Sequence, residues 1–261
     1  MRLYTILHRR MVKHLHNRTH IKVRILRIPM RNPIRLIHTS DIHLADGGSD
    51  GYSALAAVVD LGNSLQSDAL LIAGDLFDHS RVKDEEVANF LNEVRRFRGP
   101  VIVLPGNHDP YDSSSIYLRP SFKSAPYNLN LLTQPDNGPV VFNELGLEVW
   151  GRPTVNHDPS FQPLHQVPPR AGDCWYVVLA HGHLVERLGG APSSPILRSE
   201  IADAPCDYIA LGHWDHFRDV SEGSVPAFYS GSPRRHAGHG SVVLVELCQD
   251  GVSIERHSLV Y

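Results

Sequence analysis

The stretch that decides the fold runs Val101-Ile102-Val103-Leu104-Pro105 and continues as Gly106-Asn107-His108-Asp109. An apolar run rich in β-branched residues and bounded by Gly99-Pro100 is typical of a buried strand. Gly106 then permits a sharp backbone turn at the end of that strand. The three polar residues that follow are of types that ligate metals, move protons and orient an imidazole. We therefore expect a catalytic loop at the carboxyl end of a central strand, where open α/β sheets place their chemistry.

Four other segments repeat this order of an apolar run followed by polar residues. Two of them lie upstream of the first and two lie downstream. They are Ile34–Ser40 before Asp41-Ile42-His43, Ala69–Ala73 before Gly74-Asp75-Leu76-Phe77-Asp78, Trp175–Ala180 before His181-Gly182-His183, and Asp207–Leu211 before Gly212-His213-Trp214-Asp215-His216. None of the polar residues is a cysteine. Carboxylate, imidazole and amide ligands suit borderline-to-hard divalent ions such as Mn²⁺, Fe²⁺ or Zn²⁺. The candidates outnumber the needs of one ion, so two ions sharing a bridging carboxylate is the simpler interpretation.

These motifs, taken in order, resemble the set found in the calcineurin-like metallophosphoesterase superfamily. They are Asp41-x-His43, Gly74-Asp75-x-x-Asp78, Gly106-Asn107-His108-Asp109, His181 and Gly212-His213. The resemblance implies an α/β protein with the metallo-dependent phosphatase fold, which is two facing mixed β-sheets flanked by helices. Within the superfamily, Tyr229-Ser230-Gly231-Ser232-Pro233 and Ala210-Leu211-Gly212-His213 look like motifs of the SbcD-type DNA-repair exonuclease branch.

The resemblance also implies a role for each site residue. Asp41 and His43 would hold the first metal, and Asp75 would bridge both metals. The second metal would be held by Asn107, His181 and His213. His108 would not ligate a metal but would face the substrate and protonate the leaving oxygen or stabilise charge on the phosphoryl group. Asp109 would hydrogen-bond His108 and fix its tautomer.

The last motif departs from the family pattern Gly-His-x-His. Asp215 stands where the second histidine, a ligand of the first metal, is expected, and His216 follows one residue later. We favour Asp215 as the ligand, and His216 is the alternative. A third possibility is that the first metal binds weakly and the enzyme is slow. A second choice concerns the fourth strand-end motif. We prefer His181, because it directly follows the apolar run, but His183 would match the branch's Gly-His-Leu pattern.

The implied activity is hydrolysis of phosphodiester or phosphomonoester bonds by a hydroxide activated between two divalent ions about 3.5–4 Å apart. Mn²⁺ is the expected metal, with Fe²⁺ or Zn²⁺ as alternatives. A phosphate ester is the expected substrate, with single-stranded DNA or nucleotides as candidates. The first rival function is a DNA-repair exonuclease subunit that acts with a coiled-coil ATPase, although a DNA-binding cap is not evident. The second is a non-catalytic scaffold of the same fold.

Charge divides the chain into a basic start and an acidic body. Residues 1–35 contain ten Lys/Arg and no acid, so the remainder holds 15 Lys/Arg against 28 Asp/Glu, a net of −13. We interpret residues 1–33 as a basic, disordered extension or as the result of a start codon assigned too early, with Met30 as the true start. Residues 34–261 form the predicted phosphoesterase domain. Three scattered cysteines fit a reducing cytoplasm, and no apolar run of about 18 residues could span a membrane.

The segments between the motifs alternate as expected for an α/β protein. Tyr52–Leu61 and Asp84–Arg98 are predicted helices, and the second carries an apolar stripe that includes Val87 and Phe90. Short strands are expected around Asn130–Leu132, Val140–Phe142 and Leu147–Trp150. Ser241–Leu247 and Val252–Leu259 alternate like an antiparallel pair.

Overall fold

The computed structural model describes residues 31–45, 50–158, 160–188, 193–234 and 240–261. Two six-stranded sheets dominate this part of the chain, and a two-stranded sheet accompanies them. The strands are β1 (Ile34–Thr39), β2 (Ala69–Ala73), β3 (Val101–Leu104), β4 (Leu129–Leu131), β5 (Val140–Phe142), β6 (Leu147–Gly151), β7 (Trp175–His181), β8 (His183–Val185), β9 (Pro195–Leu197), β10 (Tyr208–Gly212), β11 (Arg218–Asp219), β12 (Ala227–Tyr229), β13 (Ser241–Cys248) and β14 (Gly251–Ser258). The helices are α1 (Gly51–Ser64), α2 (Asp84–Arg96), α3 (Pro120–Lys123) and α4 (Arg198–Asp203), with 3-10 turns at Ile116–Leu118 and Pro135–Asn137.

Both large sheets are mixed. The first has the strand order β14-β13-β1-β2-β3-β4, with β1 to β4 parallel and the last two strands of the chain antiparallel. The second has the order β11-β12-β10-β7-β6-β5, with its four inner strands parallel and both outermost strands antiparallel to their neighbours. The small sheet pairs β8 with β9 in parallel.

Alternation along the strands builds three apolar layers, because successive side chains of a strand point to opposite faces. In β1, Leu36 belongs to the layer between the two sheets, together with Val177 of β7. Its neighbour Ile37 faces the other way and packs in the layer with α1 and α2. A third layer covers the outer face of the second sheet and includes Ile201 of α4. The prediction of two facing mixed sheets flanked by helices is therefore confirmed.

The predicted helices and strands also agree with the structure to within a few residues. α2 buries Val87, Phe90, Leu91 and Val94, the stripe expected to face the core. Its first turn is acidic and its last turn is basic, which complements the helix dipole. The two closing strands pair in antiparallel register along their whole length. No helix in the described part of the chain is both long enough and apolar enough to cross a membrane.

Most of the predicted basic extension, residues 1–30, lies outside the described residues. The short piece that is described packs on the body. Arg31 Nε donates to the carbonyl of Asp173 at 2.8 Å, and its Nη1 donates to Asp207 Oδ2 at 3.1 Å. Trp175 Nε1 donates to the carbonyl of Asn32 at 2.7 Å.

Candidate metal centre

The carboxyl ends of five parallel strands, β1, β2, β3, β7 and β10, meet at one edge of the facing sheets. Direct contacts join the two sheets there. The backbone N–H of His213, after β10, donates to Asp41 Oδ2, after β1, at 2.9 Å. His181, at the end of β7, places Nδ1 2.9 Å from the carbonyl of Ala73, at the end of β2. The five motifs of the sequence therefore converge on one place.

Several residues at this edge have a backbone that non-glycine residues rarely adopt. Asp41, His43, Asp75 and His213 have φ values of 54°, 49°, 51° and 108°. Such conformations cost free energy and persist where the surrounding structure holds them, often at functional sites. Here they occur directly after the strands and turn these four side chains toward one another.

Two glycines allow the loops to approach closely. A Cβ on Gly106 would lie 2.2 Å from Asp75 Oδ1, and a Cβ on Gly212 would lie 1.8 Å from the carbonyl oxygen of Ala73. Neither Asp75 Oδ1 nor the carbonyl oxygen of Ala73 belongs to a flexible, exposed side chain that could move aside. Any side chain at these positions would push the ligand-bearing loops apart.

One group of donor atoms forms around His181. Its Nε2 lies 2.9 Å from Asn107 Oδ1 and 3.2 Å from Asp75 Oδ2. His213 Nδ1 lies 3.0 Å from Asn107 Oδ1 and 3.3 Å from His181 Nε2. Because a carbonyl oxygen can only accept, His181 Nδ1 donates to Ala73, and its Nε2 presents a lone pair to the group when the ring is neutral.

A second group joins Asp41, His43 and Asp75. His43 Nε2 lies 4.0 Å from Asp41 Oδ1 and 3.9 Å from Asp75 Oδ2. Asp75 Oδ2 is thus the atom that both groups share. These two sets are among the groups of side chains whose ligand atoms are close enough to hold a metal ion. The structure therefore brings together Asp41, His43, Asp75, Asn107, His181 and His213, all six predicted ligands of the family pattern.

Asp78 is a further polar residue at this edge, and it has no predicted role. Its Oδ1 lies 3.3 Å from His43 Nδ1 and 3.7 Å from His108 Nδ1. Its backbone carbonyl accepts from His108 Nδ1 at 3.0 Å. The spacing Asp75-x-x-Asp78 was the available signal, since both carboxylates follow the same strand. The Asp78 carboxylate thus faces both imidazole rings.

The predicted pairing of Asp109 with His108 is corrected by the structure. Asp109 is fully buried, and its carboxylate accepts from Gly106 N at 2.7 Å, Phe77 N at 3.0 Å and the Tyr117 hydroxyl at 2.6 Å. Its side chain points into the core, where two backbone N–H groups and the Tyr117 hydroxyl donate to it. The side chain of His108 is half-exposed at the cleft. The group next to the His108 ring is Asp78.

Of the three remaining candidates, the structure brings only His183 close to the centre. His183 Nε2 lies 2.6 Å from His213 Nε2, so it contacts a candidate ligand. Asp215 and His216 are exposed, and neither belongs to the groups of close ligand atoms among the described residues. The backbone carbonyl of Asp215 accepts from Ser232 N at 3.1 Å, which holds this turn against the loop after β12. The expected contribution of Asp215 to the first site stays a prediction.

Burial and neighbouring charges set the protonation of the ligands. Burial lowers the pKa of His43, although the carboxylate of Asp75 opposes the shift. Burial, together with His181, lowers the pKa of His213 to about 3. Both rings are neutral at neutral pH, the state in which imidazole binds metals.

The carboxylates require a positive charge among them. Burial disfavours charge on Asp75, but His181 and His43 hold its pKa below its usual range. Burial alone would lower the pKa of His181, yet Asp75 and Asp41 raise it to about 10. A proton on His181 therefore compensates the buried carboxylates. A divalent cation would do so more strongly, since buried charges are normally paired or bound to metal. The donor set, its charge and its convergence all fit a metal centre.

Comparison with known proteins agrees with this geometry. Residues 34–216 match the family described as calcineurin-like phosphoesterase. The chain belongs to this family. The expected superfamily is thereby confirmed.

Two curated relatives carry the name DNA double-strand break repair protein Mre11. The chain is 26% identical over 224 residues to the protein of Saccharolobus solfataricus, covering 77% of this chain and 54% of that protein. It is 29% identical over 120 residues to the protein of Nanoarchaeum equitans, covering 41% and 32%. The chain thus spans about half and about a third of the length of these relatives. Their names support the predicted resemblance to the DNA-repair nuclease branch.

A solved structure, a dimetal phosphatase from Danio rerio, shares the fold with a TM-score of 0.57. Its identity is 11%, and the match covers 88% of this chain and 100% of that one. At this identity the likeness concerns the fold alone.

Proposed function

We propose that this chain is a binuclear metallophosphoesterase that hydrolyses phosphate esters, with phosphodiesters as its preferred class. The observation that carries the proposal is the position of Asp75. Its Oδ2 lies within 4 Å of both His181 Nε2 and His43 Nε2, so one oxygen serves both ligand groups. A buried carboxylate shared between two sets of imidazole side chains is the arrangement that two adjacent cations need.

Asp41, His43 and Asp75 would hold one cation, and Asp75, Asn107, His181 and His213 would hold the other. Divalent ions bound there neutralise phosphate oxygens and lower the pKa of water. Mn²⁺ suits this mixture of oxygen and nitrogen ligands, as do Fe²⁺ and Zn²⁺. His183 would support His213 from behind through the contact between their Nε2 atoms.

His108 would supply the proton that the leaving oxygen requires. The carbonyl of Asp78 can only accept, so His108 Nδ1 carries a hydrogen and Nε2 is the atom left for the substrate. When the ring is charged, the Nε2 hydrogen can be transferred to the leaving oxygen. His108 donates its backbone N–H to Asp75 Oδ1 at 2.8 Å, which fixes it beside the ligands.

A second candidate function is a nuclease subunit of DNA repair, partnered by a coiled-coil ATPase. The names of the two curated relatives favour it. It uses the same centre and differs only in the substrate, which would be a DNA strand rather than a small phosphodiester.

The test is Asp75→Asn, assayed with bis(p-nitrophenyl) phosphate after chelation and reconstitution with Mn²⁺. Asn keeps the size of the side chain, tolerates the left-handed backbone and still offers an oxygen to His108 N. The negative charge is lost, and an amide nitrogen replaces the oxygen that the two ligand groups share. We expect metal content by elemental analysis to fall below two equivalents and hydrolysis to be abolished.

Asp112→Asn is the matched control. Asp112 is an exposed aspartate whose Oδ1 accepts from Ser114, a bond that asparagine can also accept. This variant should keep both metal and activity. Two equivalents of metal with normal turnover in Asp75→Asn would contradict the shared-ligand assignment. A wild-type protein that binds two metals but hydrolyses no phosphate ester would favour the scaffold.

A further inference from the structure

Tyr117 is a buried tyrosine behind the metal centre that no predicted role accounts for. It lies in the 3-10 turn Ile116–Leu118, and its side chain is almost fully buried. Its hydroxyl donates to Asp109 Oδ2 at 2.6 Å. A buried hydroxyl without a hydrogen-bond partner costs free energy, and Asp109 supplies that partner.

The carboxylate of Asp109 joins three separate segments. Oδ1 accepts from Gly106 N and so closes the loop that carries Asn107 and His108. Oδ2 accepts from Phe77 N, within the loop that carries Asp75 and Asp78. The hydroxyl of Tyr117 completes the set from a third segment. Both catalytic loops are therefore bonded to one buried carboxylate whose third donor is Tyr117.

The hydrogen bonds of Asp109 connect to His108 through Phe77. The next residue, Asp78, accepts the Nδ1 hydrogen of His108 on its carbonyl and faces the same ring with its carboxylate. A shift of the Phe77–Asp78 backbone relative to the 106–109 loop would rotate the His108 ring. The ligand atoms of Asp41, His43 and His181 come from other segments and would be less affected.

We propose that Tyr117 is a positioning residue for the proton transfer by His108, acting through Asp109. Its hydroxyl holds the two loops in the register that aims His108 Nε2 at the leaving oxygen. The proposal rests on the proposed phosphoesterase function and adds a residue outside the cleft to its machinery.

The hydroxyl can be tested apart from the ring. The ring of Tyr117 packs edge-on against Phe122 at 5.3 Å and Phe77 at 6.0 Å between centroids. Tyr117→Phe preserves these contacts and removes one donor, while Asp109 keeps both of its backbone donors. The variant is therefore expected to fold, and its thermal unfolding midpoint reports any loss of stability.

The experiment measures kcat and KM of Tyr117→Phe on aryl phosphodiesters whose leaving phenols increase in pKa. Good leaving groups such as p-nitrophenolate depart without a proton, whereas poor ones need the general acid. We expect kcat to change less than about twofold for p-nitrophenyl esters and to fall about tenfold or more for phenyl esters, within the range of general acid catalysis. KM and metal equivalents should stay unchanged.

Two comparisons separate this role from a merely structural one. In a His108→Ala background, Tyr117→Phe should lower kcat no further, because both changes remove the same transfer. Phe122→Leu disturbs the same aromatic cluster without touching Asp109, so it should lower the unfolding midpoint and keep the wild-type leaving-group dependence.

An unchanged leaving-group dependence in Tyr117→Phe would overturn the proposal, as would additive losses with His108→Ala or a loss of bound metal. Failure of the wild-type protein on every ester would instead reject the phosphoesterase function itself.

Discussion

At the residue scale, Asp78 lies beside both a proposed metal ligand and the proposed proton donor, since its carboxylate lies within 3.7 Å of both His43 and His108. A carboxylate behind a ligating histidine fixes the ring and raises its basicity, and its loss commonly costs about 10–100-fold in metal affinity or activity. We expect Asp78→Asn to lower kcat by about that factor and to weaken metal binding, measured by metal titration and steady-state kinetics. Asp60→Asn, an exposed aspartate paired with Arg96 on the helical face, is the control and should leave both unchanged. Wild-type kinetics in Asp78→Asn would show that the contacts with both rings are incidental.

At the scale of the elements, the site depends on how closely β10 approaches β2 across the two sheets. A Cβ on Gly212 would meet the carbonyl of Ala73 at 1.8 Å and His181 Nδ1 at 2.8 Å. Gly212→Ala should therefore separate the strand ends, lower the free energy of unfolding by about 1–3 kcal/mol and reduce bound metal. Thermal unfolding and elemental analysis would measure the two effects. Gly172→Ala is the control, because its nearest atom would lie 3.4 Å away, an ordinary contact. Full metal content in Gly212→Ala would mean that the strand ends can shift without harm to the centre.

At the scale of the whole molecule, net charge governs how strongly the protein binds nucleic acid. Beyond residue 35 the chain has a net charge of −13, and two of its arginines are engaged, Arg198 with Glu186 and Glu222 and Arg234 with Asp50. Because 28 Asp/Glu outnumber 15 Lys/Arg in this part of the chain, a chain that begins at Met30 should bind duplex DNA weakly and with a shallow salt dependence. Fluorescence anisotropy at several salt concentrations, with and without residues 1–29, would separate the body from the basic extension. Nanomolar affinity of the body with a steep salt slope would contradict this expectation and favour the nuclease.

The sequence by itself determined the α/β class, the succession of strands and most of the candidate ligands. Each strand is a short apolar run, and each candidate ligand follows its strand within a few residues. Local patterns of this kind can be recognised in the sequence alone, since hydrophobic alternation and turn residues follow one another along the chain. The positions of Asp41, Asp75 and His181 could therefore be predicted before any contact was known.

Only the tertiary structure decided which of these side chains face one another. Asp109 stands beside His108 in the chain yet turns inward to backbone donors and Tyr117, while Asp78 reaches the imidazole from another strand. Asp215 occupies the position of an expected ligand but is exposed in a turn held by Ser232. The direction of a side chain after a strand depends on backbone angles, such as the positive φ of Asp41 and His213, and on donors supplied by distant segments. Neither of these can be read from spacing, because both arise when the two sheets pack together.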